Sequence, residues 1–135
     1  MQLYPNLTFN GQCEEAFQLY EKCLGGKITF MMKYADAPSL EHPPEWAAKI
    51  AHATFALGDQ LVSGSDALPG SYEKPRGFAM QFNLADAAAA DRIFETLSEK
   101  GVVKMPLQET FWALRFGGLV DQFGIEWAIN CEKAA

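Results

Sequence analysis

Apolar and less apolar residues alternate over positions 3–9, with Leu3, Pro5, Leu7 and Phe9 on one side and Tyr4, Asn6 and Thr8 on the other. A period of two is the mark of a half-buried strand. Asn10-Gly11 turns the chain. Over 14–24 the spacing changes. Ala16, Phe17, Tyr20 and Leu24 fall on one helical face, and Gly25-Gly26 supplies the stop. Residues 27–34 return to alternation, with Ile28, Phe30 and Met32 on one side. Residues 35–46 hold three prolines, His42 and Trp46 with little periodicity, and read as a long loop, a candidate lid or pocket wall. Positions 49–57 and 60–65 form a hairpin about Gly58-Asp59. Residues 66–76 carry Pro69-Gly70 and Pro75 and join two halves, with Glu73-Lys74-Pro75-Arg76 reading as a solvated turn.

The pattern then repeats. Phe78, Met80, Phe82 and Leu84 alternate with Ala79, Gln81 and Asn83. Residues 86–100 form a second helix, with Ile93, Phe94 and Leu97 facing inward and Gly101 ending it. A strand over 102–105 follows, and a hairpin closes the chain. Its apolar runs, 111–120 and 125–129, flank Asp121-Gln-Phe-Gly124, a tight turn in which the Asp bonds its own backbone two residues on. A shift of 75 residues lays Leu7 on Phe82, Phe9 on Leu84 and Gly26 on Gly101. The chain is therefore an internal duplication of a βαβββ module. The expected fold class is α+β. One domain holds two tandem modules, about 1–66 and 77–135, joined by a Pro/Gly-containing linker. Their sheets form a curved cup, with the helices on its outer face.

Composition narrows the partners. A chain of 135 residues buries a substantial core as one domain. Its net charge of −6 argues against nucleic acid or an anionic membrane as partner. No apolar run approaches the roughly 20 residues of a membrane helix, and no secretory signal opens the chain. Cys13, Cys23 and Cys131 have neither paired nor metal spacing, which suits a reducing cytoplasm. No Ser-His-Asp or Cys-His order, phosphate-cradling loop or dinucleotide fingerprint stands out.

The densest stretch of chemistry is Met105-Pro-Leu, Phe111-Trp112, Arg115-Phe-Gly and Asp121-x-Phe-Gly-x-x-Trp127. With Tyr4-Pro-Asn-Leu-Thr-Phe-Asn-Gly11, Ala16-Phe17, Tyr20, Leu24-Gly25-Gly26 and His52-Ala-Thr-Phe-Ala-Leu-Gly58-Asp59, it resembles the PhnB-like proteins. These are a branch of the vicinal-oxygen-chelate superfamily, the glyoxalase, bleomycin-resistance and extradiol-dioxygenase fold. The resemblance covers nearly the whole chain and implies a cup that binds a small molecule. It also implies a homodimer, because such proteins commonly pair their modules across two chains.

Metal-using members place His or Glu on the inner face of the cup, from the first and last strand of each module. The positions that correspond here are Tyr4, Val62, Ala79 and Ala128, none of which suits a site of imidazole and carboxylate. No metal ligand and no cofactor is therefore expected. His52 should face the cup, opposite Phe55 and Leu57; it is either satisfied by a local bond or an acid, base or ligand contact. Glu109 is a solvated loop carboxylate, a partner of Arg115, or a base. Arg115 reaches water from an edge or holds an anion. Trp112 is core or a ligand wall, and Tyr72 reaches over the cup mouth. A bulge at the glycine run would let Trp112 and Arg115 share one side. Two functions stay open: a metal-independent binding protein with Trp112, Arg115 and Tyr72 on the ligand, or a lyase, isomerase or dioxygenase-like enzyme. The enzyme would use His52 and Glu109 for acid–base work or a divalent metal in a displaced site.

Overall fold

In the computed structural model, which describes residues 1–134, strand β1 (Asn6–Phe9) starts later than the alternation predicts. Pro5 has no N–H to donate to a ladder, and Leu3 and Tyr4 before it are exposed. Only Leu7 and Phe9 carry the period into the core. Helix α1 (Cys13–Leu24) then buries Ala16, Phe17 and Tyr20. It ends because Gly25 takes φ +85°, a left-handed conformation that glycine adopts without steric cost. The Gly25 N–H closes the last turn on the Glu21 carbonyl. Strands β2 (Lys27–Lys33), β3 (Ile50–Leu57) and β4 (Gln60–Asp66) follow. The sheet order is β1-β4-β3-β2, with β1 parallel to β4 and the other neighbours antiparallel. The long loop between β2 and β3 contains two short 3-10 turns, Tyr34–Asp36 and Pro44–Trp46.

The same plan recurs as β5 (Met80–Leu84), α2 (Ala87–Ser98), β6 (Val102–Gln108), β7 (Ala113–Val120) and β8 (Glu126–Glu132), in the sheet order β5-β8-β7-β6. Asp86 caps α2 by accepting the Ala88 N–H at 3.0 Å. The helix stops short of its predicted end, and Lys100 leaves it at φ +59°. Strand β6 runs further than predicted, through Pro106 to Gln108. It is an edge strand, where a missing N–H is tolerated. The chain divides into two compact units, Met1–Glu73 and Lys74–Ala135. The architecture is α+β, two βαβββ modules in tandem.

In each unit the helix covers one sheet face. The Phe17 ring meets Phe9 edge-on at 5.9 Å and Phe55 at 6.3 Å. Each such buried ring contributes about 1.5–3 kcal/mol of transfer free energy. In the second unit Ile93, Phe94 and Leu97 of α2 are buried, as are Leu119, Trp127 and Ile129 of the sheet. The duplication shows in one packing detail. A Cβ at Gly26 would run into the Ala56 carbonyl, and one at Gly101 into the Val120 carbonyl. Both glycines let the second strand of a module pass close under the third. Among the described residues no helix is long and apolar enough to cross a membrane.

Candidate functional site

Strand register decides which side chains of the second unit share a face. Gly117 pairs with Ile129, and a Cβ at Gly117 would press on the Phe94 ring, so this pair faces α2. Phe116 and Asn130 pair one step along the strands and point the other way. Asn83 of β5 flanks Asn130 from the other side. The Asn130 amide donates to Asn83 Oδ1 at 3.2 Å, and Gln81 donates to the same oxygen at 3.0 Å. Asn130 is only 4% exposed, yet its Oδ1 is buried without a hydrogen-bond partner. A buried acceptor left unmet costs about 1–3 kcal/mol. No donor among the described residues meets its lone pairs.

Beside this acceptor stands a cluster of rings. The Trp112 ring lies 5.4 Å from Phe116 at 64° and 4.9 Å from Phe111 at 79°. Trp112 is 44% exposed and Phe111 88%. The short connection from β6 to β7 is pinned so that these rings are presented. The Thr110 N–H donates to the Ala113 carbonyl, the Ala113 N–H donates to Thr110 Oγ1, and the Lys133 N–H donates to the Trp112 carbonyl. A row of amides next to a wall of rings can orient a flat apolar body and hydrogen-bond its polar edge.

The residues singled out from sequence are divided between the two units. Trp112 belongs to the ring cluster. Arg115 does not join it. The bulge expected at the glycine run is not there, since pairing with β8 is regular through Gly117 and Gly118; the register shift lies between Ala113 and Arg115, aligns Arg115 with Cys131 and turns it toward α2. There its Nε meets Asp91 Oδ1 at 3.0 Å. Glu109 pairs with Lys133 at 3.3 Å and not with Arg115. His52 lies in the first unit, exposed on the sheet face away from α1, with its ring 5.9 Å from Phe30. Tyr72 is half-buried in the irregular segment after β4, also in the first unit.

One expected inward position is off by one. Val62 pairs with Phe55 and so faces α1, which gives the open face to Ser63. With Ser63 in its place the four positions still offer no imidazole and no carboxylate. Among the described residues no three His, Cys, Asp or Glu side chains gather as a metal site would need. Phe116, Asn83 and Asn130 escaped the sequence reading. The available signal was an amide, Asn130, set between Ile129 and Cys131 in a run that otherwise belongs to the core.

A family model described as 3-demethylubiquinone-9 3-methyltransferase matches residues 1–130. Protein YjdN of Escherichia coli (strain K12) is 32% identical over 142 residues, spanning 98% of this chain and 97% of that protein. The crystal structure of protein PA1353 from Pseudomonas aeruginosa is 41% identical with a TM-score of 0.90, over 99% of both chains. A putative 3-demethylubiquinone-9 3-methyltransferase, PhnB protein, from Bacillus cereus shares the fold at a TM-score of 0.83. It is 23% identical and covers 97% of this chain and 99% of that one.

Proposed function

The chain belongs to the PhnB-like family described as 3-demethylubiquinone-9 3-methyltransferase, and we propose that it is a small-molecule binding protein. The ligand is a small, flat, mostly apolar molecule with an N–H or O–H donor, held on the ring-bearing face of the second unit. The observation that carries this reading is the buried, unmet Oδ1 of Asn130, paired in register with Phe116. Phe116 in turn touches Trp112. A ligand donor to that oxygen removes the desolvation penalty, while the rings bury its flat faces. Binding stands ahead of acid–base catalysis, because Glu109 is paired with Lys133 and the His52 ring rests against Phe30. The family description names a methyl transfer; the proposal is for binding and does not extend to it.

The reading is tested by native mass spectrometry of the purified protein against a library of small aromatic metabolites. A one-to-one adduct is expected for the wild type and lost in Trp112→Ala. Asn130→Leu, which keeps the rings but removes the acceptor, should lose hits that carry a donor and keep those that do not. Equal adducts on wild type and Trp112→Ala would refute the assignment.

We further propose that the working form is a homodimer. Val102, Val103 and Met105 expose an apolar row on β6, an edge strand whose unpaired backbone invites a partner. Sedimentation at micromolar concentration should give a species of twice the 14.9 kDa chain mass. A monomer alone would refute it.

A further inference from the structure

The second unit holds a cavity of about 460 Å³ at the end of its sheet, away from the residues of the ring cluster. That volume lies within the range of small-ligand sites. Lys74, Arg76 and Lys104 bring three cations to its lining, and Glu126 brings one carboxylate. Lys104 Nζ and Glu126 Oε1 are 3.4 Å apart and neutralise each other. Lys74 and Arg76 have no ion pair or side-chain hydrogen bond among the described residues. Asp121, beside the wall residue Val120, forms no ion pair with them. Its carboxylate is buried and engaged by the N–H groups of Phe123 and Ile125 and by the Trp127 indole.

A chain of net charge −6 thus brings two cations without an ion pair to one concave spot. The sequence alone suggests a solvated turn over 73–76. In the structure Pro75 sits between the two cations as part of the wall, and Gly77, at φ +79°, bends the chain immediately after Arg76. Two cations held at one cavity repel each other, and an anion between them turns that repulsion into attraction. The guanidinium offers two parallel N–H groups to a pair of oxygens, and the ammonium adds a point charge. Pro75 and Val120 give a short carbon body something to rest on. Glu126 limits the site to about two negative charges, because it already satisfies Lys104.

We infer that this cavity is a binding site for a small organic dianion, a phosphate monoester or a dicarboxylate, held by Lys74 and Arg76. The site is independent of the ring-cluster proposal and shares no residue with it.

The probes are glycerol phosphate and succinate, titrated calorimetrically at low ionic strength and followed by amide NMR. At least one saturates the wild-type protein, and the Gly77 and Gly124 amides, both at the cavity wall, shift with it. Glycerol phosphate alone assigns a phosphate; succinate alone assigns a dicarboxylate. The double variant Lys74→Gln/Arg76→Gln weakens binding about tenfold or more. The control Lys22→Gln/Lys33→Gln, with the same charge change on the first unit, stays within about twofold. Trp112→Ala leaves probe binding unchanged. Failure of both probes to saturate, equal weakening in the control, or shifts away from Gly77 and Gly124 would each overturn the assignment. Circular dichroism establishes that each variant is folded.

Discussion

Asp66 of the first unit and Asp121 of the second are both nearly inaccessible, at 1% and 3% exposure, but they tie the chain over different spans. Asp66 accepts the Cys13 N–H at 2.9 Å and the Ile50 N–H at 2.8 Å, from 53 and 16 residues away. Its own carbonyl accepts the Tyr34 hydroxyl at 2.7 Å. One residue at the end of β4 thereby fastens the starts of α1 and β3 and the turn after β2. Asp121 works locally. It accepts N–H bonds from Phe123 and Ile125 at 2.9 and 3.0 Å and the Trp127 indole at 2.9 Å, two, four and six residues on. The difference follows the connections. The first unit spans β2 to β3 with the long stretch 34–49, and the second makes the equivalent step with 109–112. A long connection has a larger loop entropy to offset, and the aspartate that anchors its two ends is the fastening.

The comparison is sharpest in a pair of truncations. Asp66→Ala strands two core N–H groups on distant elements and should cost about 3–5 kcal/mol. Asp121→Ala strands donors in a turn that can open to water, and should cost about 2–3 kcal/mol. Denaturant unfolding measures both. A loss for Asp121→Ala as large as that for Asp66→Ala would break the distinction between long-range and local ties.

The duplicated glycines make the opposite claim, that the two units are alike. Gly26→Ala and Gly101→Ala each push a Cβ into a backbone carbonyl of the neighbouring strand, which cannot give way as a flexible side chain would. Each should cost about 1–3 kcal/mol, and by similar amounts. A neutral effect at one site and a large one at the other would show that the close strand crossing belongs to only one unit.

The thiols of the first unit give a smaller, pH-dependent contrast. Burial pushes Cys23 up to about 11 from an ordinary value of 9.0. Cys13 is raised further, first by burial and then by Asp66 and Glu14. A thiol raised on folding stabilises the fold fully below the unfolded value, and that contribution is lost as pH climbs toward the folded value. Stability should therefore fall between about pH 9 and 11, where the unfolded chain ionises first. Cys23→Ala should flatten part of the fall. An unfolding midpoint with the same pH slope in wild type and variant would refute the link.

The same contrast between near and far explains what could be read from the sequence. Both modules, the helix faces and the Asp121 turn rest on spacings of two to seven residues, and all were legible. Asp66 was not, because nothing near it marks a carboxylate that will meet Cys13 and Ile50. The ring cluster was half legible. Trp112 stood out by type, but Phe116 and Asn130 meet only through strand register, and Asn83 reaches Asn130 from 47 residues away. Val62 missed its face by one residue because the two modules turn differently between their last two strands. The first unit turns over with Gly58-Asp59 between its strands, and the second with the five residues 121–125.

The smallest effect is expected at Arg115, whose direction the strand register decides. Arg115 was weighed as an edge residue reaching water or an anion holder; it points to α2 and pairs with Asp91, both groups more than a third exposed. In high dielectric such a pair is worth less than about 1 kcal/mol. Arg115→Gln should accordingly shift stability by no more than that, and added salt should shrink the shift further. It should also leave any ligand of the ring cluster bound as tightly as before, because Phe116 and Arg115 lie on opposite faces of β7. Trp112→Ala, three residues away in sequence, should abolish that binding. If Arg115→Gln weakens the ligand as strongly as Trp112→Ala does, the guanidinium must leave Asp91 to reach it. The separation of the two faces of β7, on which the ring-cluster assignment stands, would then fail.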